Sequence, residues 1–410
     1  MTVDSPIVEP PVPGGARIGV LHDEIPRFTP RDNLAGRESG VQRSENPDSR
    51  PAESLPRAYG VSGILVSSGQ PTEFWVVDGR VTYEKVAQVR MIEGWILPGL
   101  VDAHCHVGLD AHGGVDRITA EAQAKLDLST GVTLIRDAGS PVDTHWMDGR
   151  SDLPRIIRAG RHIARPRRYI RGFAVEVEPG DLVAEVRRQA RVGDGWVKLV
   201  GDWIDRDLGD LAPLWPQEAA REAILAAHEE GARVTAHCFG EESVNELVHA
   251  GIDCIEHGCG LDDETISHMA TRSVALVPTL DNLKIFPGIA DQAQERFPRY
   301  AAHMRHLYER RVRVVRSAVE AGVEVYCGTD AGGTRAHGTV LQEIQALAGV
   351  LGPSYALSSA SWRARPWLGS TNLEEGSSAD FLVVARDPRQ DLTVLDAPQM
   401  VVAHGTMVHS

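Results

Sequence analysis

The sequence predicts an α/β protein: a (β/α)8 TIM barrel with a small β-sandwich domain formed by the N- and C-terminal segments. Three observations carry this. Between residues 96 and 371, short apolar runs alternate with amphipathic segments, several closed by glycine; such alternation makes parallel βα units. Eight runs can be counted there, the number that closes a barrel of typically about 250 residues. At 51–95 and 372–410 the runs are instead short, alternating and without helices between them, which reads as a β unit built from both chain ends.

Taken in order, residues 1–50 mix Pro, Arg, Asp, Glu and Ser with few apolar positions, the composition of a disordered extension. Runs at 63–67, 73–77 and 81–83 are strands separated by Gly and Pro turns, and 380–385 and 400–404 are their counterparts at the far end. The first barrel strand runs out of Trp95 into His104 and His106. A helix at 120–129 then precedes a strand at 133–137, and a third strand follows at 155–159. Helices at 182–191, 217–230, 242–250 and 262–272 precede strands at 196–200, 233–237, 254–257 and 275–279. A long helix ending near Ala321 precedes the eighth strand at 324–330.

Composition narrows the function. The 410 residues are 42% hydrophobic, with no apolar run long enough to span a bilayer. A formal net charge of −15 argues against nucleic acid and against an anionic membrane surface. The N-terminus lacks the basic start and apolar stretch of a signal peptide. The five cysteines show no zinc-finger spacing and all lie within three residues of a candidate ligand, so they are expected as buried thiols near strand ends. A reducing cytoplasm is the expected location. The expected partners are a small-molecule substrate and further copies of the chain as a homo-oligomer.

Side chains at i and i+2 of a strand share a face, so His104 and His106 aim two imidazoles at one point. The C-terminal ends of barrel strands form the active face. On that rim the sequence sets His104, His106, Lys198, His237, His257 and Asp330. Imidazole suits zinc and its neighbours, and a carboxylate supplies a hard ligand or a base. Lysine is an ammonium at neutral pH and a poor ligand; carbamylation by CO2 would turn it into a bridging carboxylate. Otherwise Lys198 is a buried cation or pairs with Asp202. His337, in the loop after the eighth strand, and His145, Tyr169 and Arg171, after the second and third, stand where substrate-binding loops belong. His268, His303 and His306, on charged helical segments, are expected at the solvated surface. No Gly-x-Ser-x-Gly elbow is present.

LPGLVDAHCH (97–106), GVTLIRD (131–137), VKL (197–199), AH (236–237), IEHG (255–258), GTDAG (328–332) and LEEGSSADFLVV (373–384) together resemble the amidohydrolase superfamily of metal-dependent hydrolases. The resemblance covers the chain from about residue 60 and is nearest to the branch with imidazolonepropionase-like proteins and Xaa-Pro dipeptidases. It implies that His104, His106 and Asp330 bind one divalent metal and His237 and His257 another, with zinc the expected ion. A carbamylated Lys198 would bridge them, and Asp330 and His257 would be the catalytic residues. The implied reaction is hydrolysis of an amide or related C–N bond in a dipeptide, N-acyl amino acid, carbamate or cyclic amide. A mononuclear deaminase or cyclic-amide hydrolase is the alternative, and a barrel that has lost catalysis a further one. Deaminases of the superfamily carry a glutamate three residues after the fifth-strand histidine, whereas here Glu241 lies four after His237.

Overall fold

The computed structural model describes residues 58–409, and the expected N-terminal extension lies outside them. Four strands open the described chain: β1 (Ala58–Leu65), β2 (Gln70–Val77), β3 (Arg80–Thr82) and β4 (Met91–Pro98). From there follow β5 (Leu100–Cys105), a two-residue pair β6 (Leu109–Asp110) and β7 (Gly113–Gly114), α1 (Arg117–Ser129), β8 (Val132–Asp137) and β9 (Arg155–Arg158). The loop after β9 carries β10 (Ile163–Ala164) and β11 (Val175–Glu176). Next come α2 (Leu182–Val192), β12 (Trp196–Val200) and a hairpin of β13 (Asp202–Asp205) and β14 (Asp210–Pro213). Then α3 (Gln217–Glu229), β15 (Arg233–Cys238), α4 (Glu241–Ala250), β16 (Cys254–His257), α5 (Asp263–Arg272) and β17 (Ala275–Val277) alternate. Helices α6 (Phe286–Ala293), α7 (Pro298–Glu320), α8 (Val340–Leu351), α9 (Pro353–Ser359) and α10 (Ala364–Trp367) precede β18 (Phe381–Val384), β19 (Met400–Ala403) and β20 (Thr406–His409).

The two ends join in one β unit. They form one seven-stranded sheet in the order β20-β19-β18-β4-β1-β2-β3, with β18 antiparallel to β4. The sheet curls, so that Arg80 bridges Ser378 and the amide of Ala379 bonds the Gly79 carbonyl. A single curled sheet supplies the second layer that the alternating runs had suggested as a separate sheet. Alternation still decides what each face does. Ile96, Phe381, Val383, Met400 and Val402 build the sheet's own core. Leu97, Leu382, Val384, Val401 and Ala403 join the main core on the other face.

The middle of the chain is mixed α/β, with parallel strands paired as β5-β8-β9 and as β11-β10-β12-β15-β16-β17. Inward residues Val101, Ala103, Leu134, Trp196, Cys254, Ala275 and Val277 form one cluster, and their outward neighbours Leu100, Ile135, Val197, Leu199, Ile255 and Leu276 pack under the helices. The expected eighth strand is an extended segment with isolated bridges, Leu276 to Val325 and Cys105 to Ala331. A regular ladder fails there because the segment must approach β5 closely: a Cβ on Gly328 would lie 2.7 Å from that of His104, and one on Gly332 would lie 2.7 Å from the His106 carbonyl oxygen. Helix starts follow their caps, as Asp116 accepts from Thr119 N before α1 and Asp262 from Thr265 N before α5. All five cysteines are buried thiols. No helix among the described residues is long and apolar enough to cross a membrane.

Candidate metal centre and active site

His104 and His106 leave the end of β5 on one side, and their Nε2 atoms stand 3.2 Å apart. Asp330 Oδ1 lies 3.0 Å from one and 3.1 Å from the other. This triangle has edges of about 3 Å, the separation of ligand atoms that each sit about 2.0–2.2 Å from one ion. His106 Nδ1 is bonded to the Gly139 carbonyl at 2.7 Å, which puts the proton on Nδ1 and leaves the Nε2 lone pair facing the triangle. A second pair repeats the motif: His257 Nε2 and His237 Nδ1 are 3.0 Å apart, and His257 Nδ1 is bonded to Thr279 Oγ1 at 2.7 Å. Two lone-pair nitrogens facing each other in a buried site repel unless a proton or a cation lies between them.

The electrostatics keep three of these imidazoles neutral. Burial lowers His104, and it lowers His237 well below the usual imidazole range, with His257 adding to the effect. Burial brings His257 down to about 3, against the opposing pull of Asp330. Neutral imidazoles are the form that binds metal. Burial would raise Asp330, but His104 and His106 outweigh it and hold the carboxyl well below its ordinary value. Its Oδ2 accepts from Asn282 Nδ2 at 2.6 Å. His257, Thr279 and Asp330 all have positive φ (65°, 49° and 58°), a conformation that non-glycine residues adopt at a cost and that recurs at functional sites. Beneath the histidines, Asp102 accepts from His104 N, Thr329 N and Thr329 Oγ1, tying β5 to the eighth segment.

Lys198 points inward, as alternation along β12 requires, and is fully buried. Its partner is Glu256 of β16 and not Asp202. Asp202 instead accepts from Phe239 N and Gly240 N, at 2.8 and 2.6 Å. Glu256 also takes Arg136 Nη2 at 3.1 Å and Thr235 Oγ1 at 2.8 Å, and lies 3.5 Å from His104 Nδ1. Burial opposes its ionisation, but His104, Lys198 and Arg136 hold it well below the usual carboxylate range.

The other expected site residues scatter. Tyr169 lies at the centre, its ring 5.5 Å from that of His237 and 5.6 Å from that of His162. His337 is buried against α1, with Nδ1 2.7 Å from Asp127 Oδ2. It thus packs behind the β5 histidines. His145 sits on Asp143 at 2.7 Å in an open cleft lined also by Arg158, Arg161 and Arg188, and Arg171 is exposed. His303 is not a surface residue: it lies between Asp210 and Glu241, 2.8 Å from each. His268 is half-buried beside His249, and His306 is exposed.

Four residues escaped the sequence reading. His162 is fully buried with both ring nitrogens unpartnered, 4.9 Å ring to ring from His106; a histidine four residues past the third strand, beside Gly160, was the available signal. Glu256 stands two residues after the inward-facing Cys254, so period two alone puts its carboxylate in the interior. Asn282 and Trp203 lie in segments without a motif.

The sequence profile of the Amidohydrolase family matches residues 95–408. An uncharacterized protein of Mycobacterium tuberculosis is 55% identical over 349 residues, covering 84% of this chain and 94% of that one. Ochratoxinase of Aspergillus niger is 24% identical over 356 residues, covering 75% and 73%. Among solved structures, a Xaa-Pro dipeptidase with bound methionine superposes with a TM-score of 0.72 at 23% identity, over 86% of this chain and all of that one. The ochratoxinase structure gives 0.70 at 19% identity, over 87% and 96%. This chain belongs to the amidohydrolase family, hydrolases of C–N bonds that generally work with a divalent metal.

Proposed function

We propose that the protein hydrolyses an amide or related C–N bond of a small molecule at a centre holding two divalent metals, most simply zinc, within a closed (β/α)8 barrel. The observation that carries this is the convergence of His104, His106 and Asp330 on one point, with the His237 and His257 ring nitrogens meeting 3.0 Å apart. Those residues would hold the metals, and Lys198, as its carbamate, would bridge them. A divalent cation bound there supplies Lewis acidity, lowering the pKa of water from about 15.7 toward about 7 and polarising a carbonyl.

The chain's own residues supply the remainder. Asp330, fixed through Oδ2 by Asn282, takes the proton of the attacking water and delivers it to the leaving nitrogen, because an amine leaves poorly unless protonated. His162 is kept neutral by burial and so carries one N–H; with no internal partner, it offers that donor to the substrate carbonyl. Burial keeps the Tyr169 hydroxyl protonated. Glu241, engaged by His303 and Arg310, has no place in the proton path, which disfavours the deaminase reading. A mononuclear hydrolase stays in play on one observation: unmodified Lys198 donates to Glu256 and would then leave His237 and His257 as a bare pair. The test is a screen of metal-loaded protein against Xaa-Pro dipeptides, N-acyl amino acids, carbamates and lactams. Hydrolysis in one class, lost on chelation and restored by zinc, is expected. Turnover that survives complete metal removal would sink the proposal.

A further inference from the structure

We infer that Trp203 and Tyr169 are specificity-determining residues, forming an aromatic wall that selects substrates with a planar aromatic ring beside the scissile carbonyl. This rests on the hydrolase reading above and adds a substrate class to it. The two rings meet edge to face, 4.8 Å apart at 71°. Each also lies 5.5 Å from the His237 ring, so the wall begins where the second donor pair stands. Phe239 continues it, 4.3 Å from His237, with Phe286 behind at 4.8 Å. The exposure differs along this row. Phe239 and Phe286 are buried, whereas Tyr169 and Trp203 are only partly so. Tyr169 and Trp203 are thus the members of the row that keep exposed area.

The wall is braced on both sides. Arg168, next to Tyr169, donates to Asp205 Oδ2 at 2.8 Å, to the Trp203 carbonyl at 3.2 Å and to the Ala212 carbonyl at 3.1 Å. One side chain thus spans both strands of the β13–β14 hairpin and locks it to the loop that carries Tyr169. From outside, His303 and Arg299 each hold Asp210 at 2.8 Å. A surface fixed before substrate arrives selects shape at a smaller entropic cost than one ordered by binding. Ring faces and edges set at fixed angles also reward a ligand with its own quadrupole over a saturated ring of similar size. Arg168 is accordingly a positioning residue for the wall.

The test compares matched substrates that differ only in the ring on the acyl side, N-phenylacetyl glycine against N-cyclohexylacetyl glycine, with metal-loaded wild type, Trp203→Leu, Trp203→Phe and Arg168→Lys. Wild type should favour the aromatic member in kcat/KM by up to about tenfold, the scale of an aromatic pair contact. Trp203→Leu should bring the ratio to within about twofold, Trp203→Phe should retain most of it, and Arg168→Lys should blunt it while both rings stay in place. Calorimetric binding of acetophenone against cyclohexyl methyl ketone, neither of which has a C–N bond to cleave, gives a second readout. Selective binding that Trp203→Leu abolishes, with none of the amides hydrolysed, would keep the wall and remove the hydrolase reading. Equal affinity for the two ketones in wild type, or a ratio unchanged in folded Trp203→Leu and Arg168→Lys, would overturn the wall whatever the hydrolysis result.

Discussion

His303 ties three elements together, and its removal should destabilise the protein only below a definable pH. From α7 it reaches Asp210 on β14 and Glu241 at the start of α4, with Arg299 also on Asp210 and Arg310 also on Glu241. The hydrogen bond to Glu241 is the largest influence on the imidazole; it outweighs burial and, with Asp210, raises His303 to about 9. Burial would raise Glu241, but the bond from His303 brings it down to about 2. Moving an imidazole from about 6.5 to about 9 corresponds to at most ~3.4 kcal/mol at 1.36 kcal/mol per pH unit. Because the cluster is only partly shielded from solvent, about 1–2 kcal/mol is the realistic share. A raised pKa contributes stability that is complete below the unfolded value and lost as pH rises through the folded one. For Glu241 the sense is opposite: its contribution is present above about 4.5 and lost toward about 2. Thermal melts of wild type and His303→Gln from pH 5 to 10 should therefore differ by one to a few degrees at pH 5–6.5. The difference should shrink through pH 9 and vanish by pH 10. A gap that stays constant, or grows with pH, would refute the assignment of His303 as a cation held by two carboxylates.

Three further outcomes bear on the centre itself. Elemental analysis of protein produced with zinc should give close to two metals per chain; one tightly held metal would favour the mononuclear reading. Asp330→Asn should keep the fold yet lower kcat by about 10²-fold or more, the scale of general acid–base catalysis, and near-normal turnover would move the proton shuttle elsewhere. Chelation should lower the melting temperature as well as abolish activity, since binding only to the folded state stabilises it by mass action; an unchanged melt would speak against a built site.

The parts of the molecule legible in its sequence are those governed by period. Helix limits at Leu182–Val192, Gln217–Glu229 and Asp263–Arg272 fall within a residue of the pattern, because caps and glycines mark them locally. The residues proposed as ligands are legible for a related reason: they stand on or just past the inner strands, where direction and face are fixed together. What the pattern hides is pairing across the chain. Whether the terminal runs make one sheet or two depends on curvature, which no local residue encodes. His303 carries a charged, helical neighbourhood that reads as surface, and only the fold brings Asp210 and Glu241 to it. His337 looks like a pocket residue by its loop, yet Asp127 on α1 claims it from 210 positions away.

Lys198 is where pattern and packing together make the sharpest argument. Glu256 is a single carboxylate, and two buried cations, Lys198 and Arg136, point at it. Arg136 cannot give up its charge, and it is further held by the Ala103 carbonyl at 2.6 Å and by the face of Trp196, 4.7 Å away. Glu256 thus lies between two buried basic side chains in a place without solvent. Carbamylation by CO2, as proposed above, would convert the Lys198 amine to a carboxylate. That carbamate would add an anionic ligand to His237 and His257, the donors proposed for the second metal. Lys198→Arg preserves the charge and cannot be carbamylated, so it should lose metal along with activity. Lys198→Ala should fail as well but regain part of both when short-chain carboxylates are supplied. Two metals and wild-type turnover in the arginine variant would show that Glu256 balances both cations and that Lys198 is only structural.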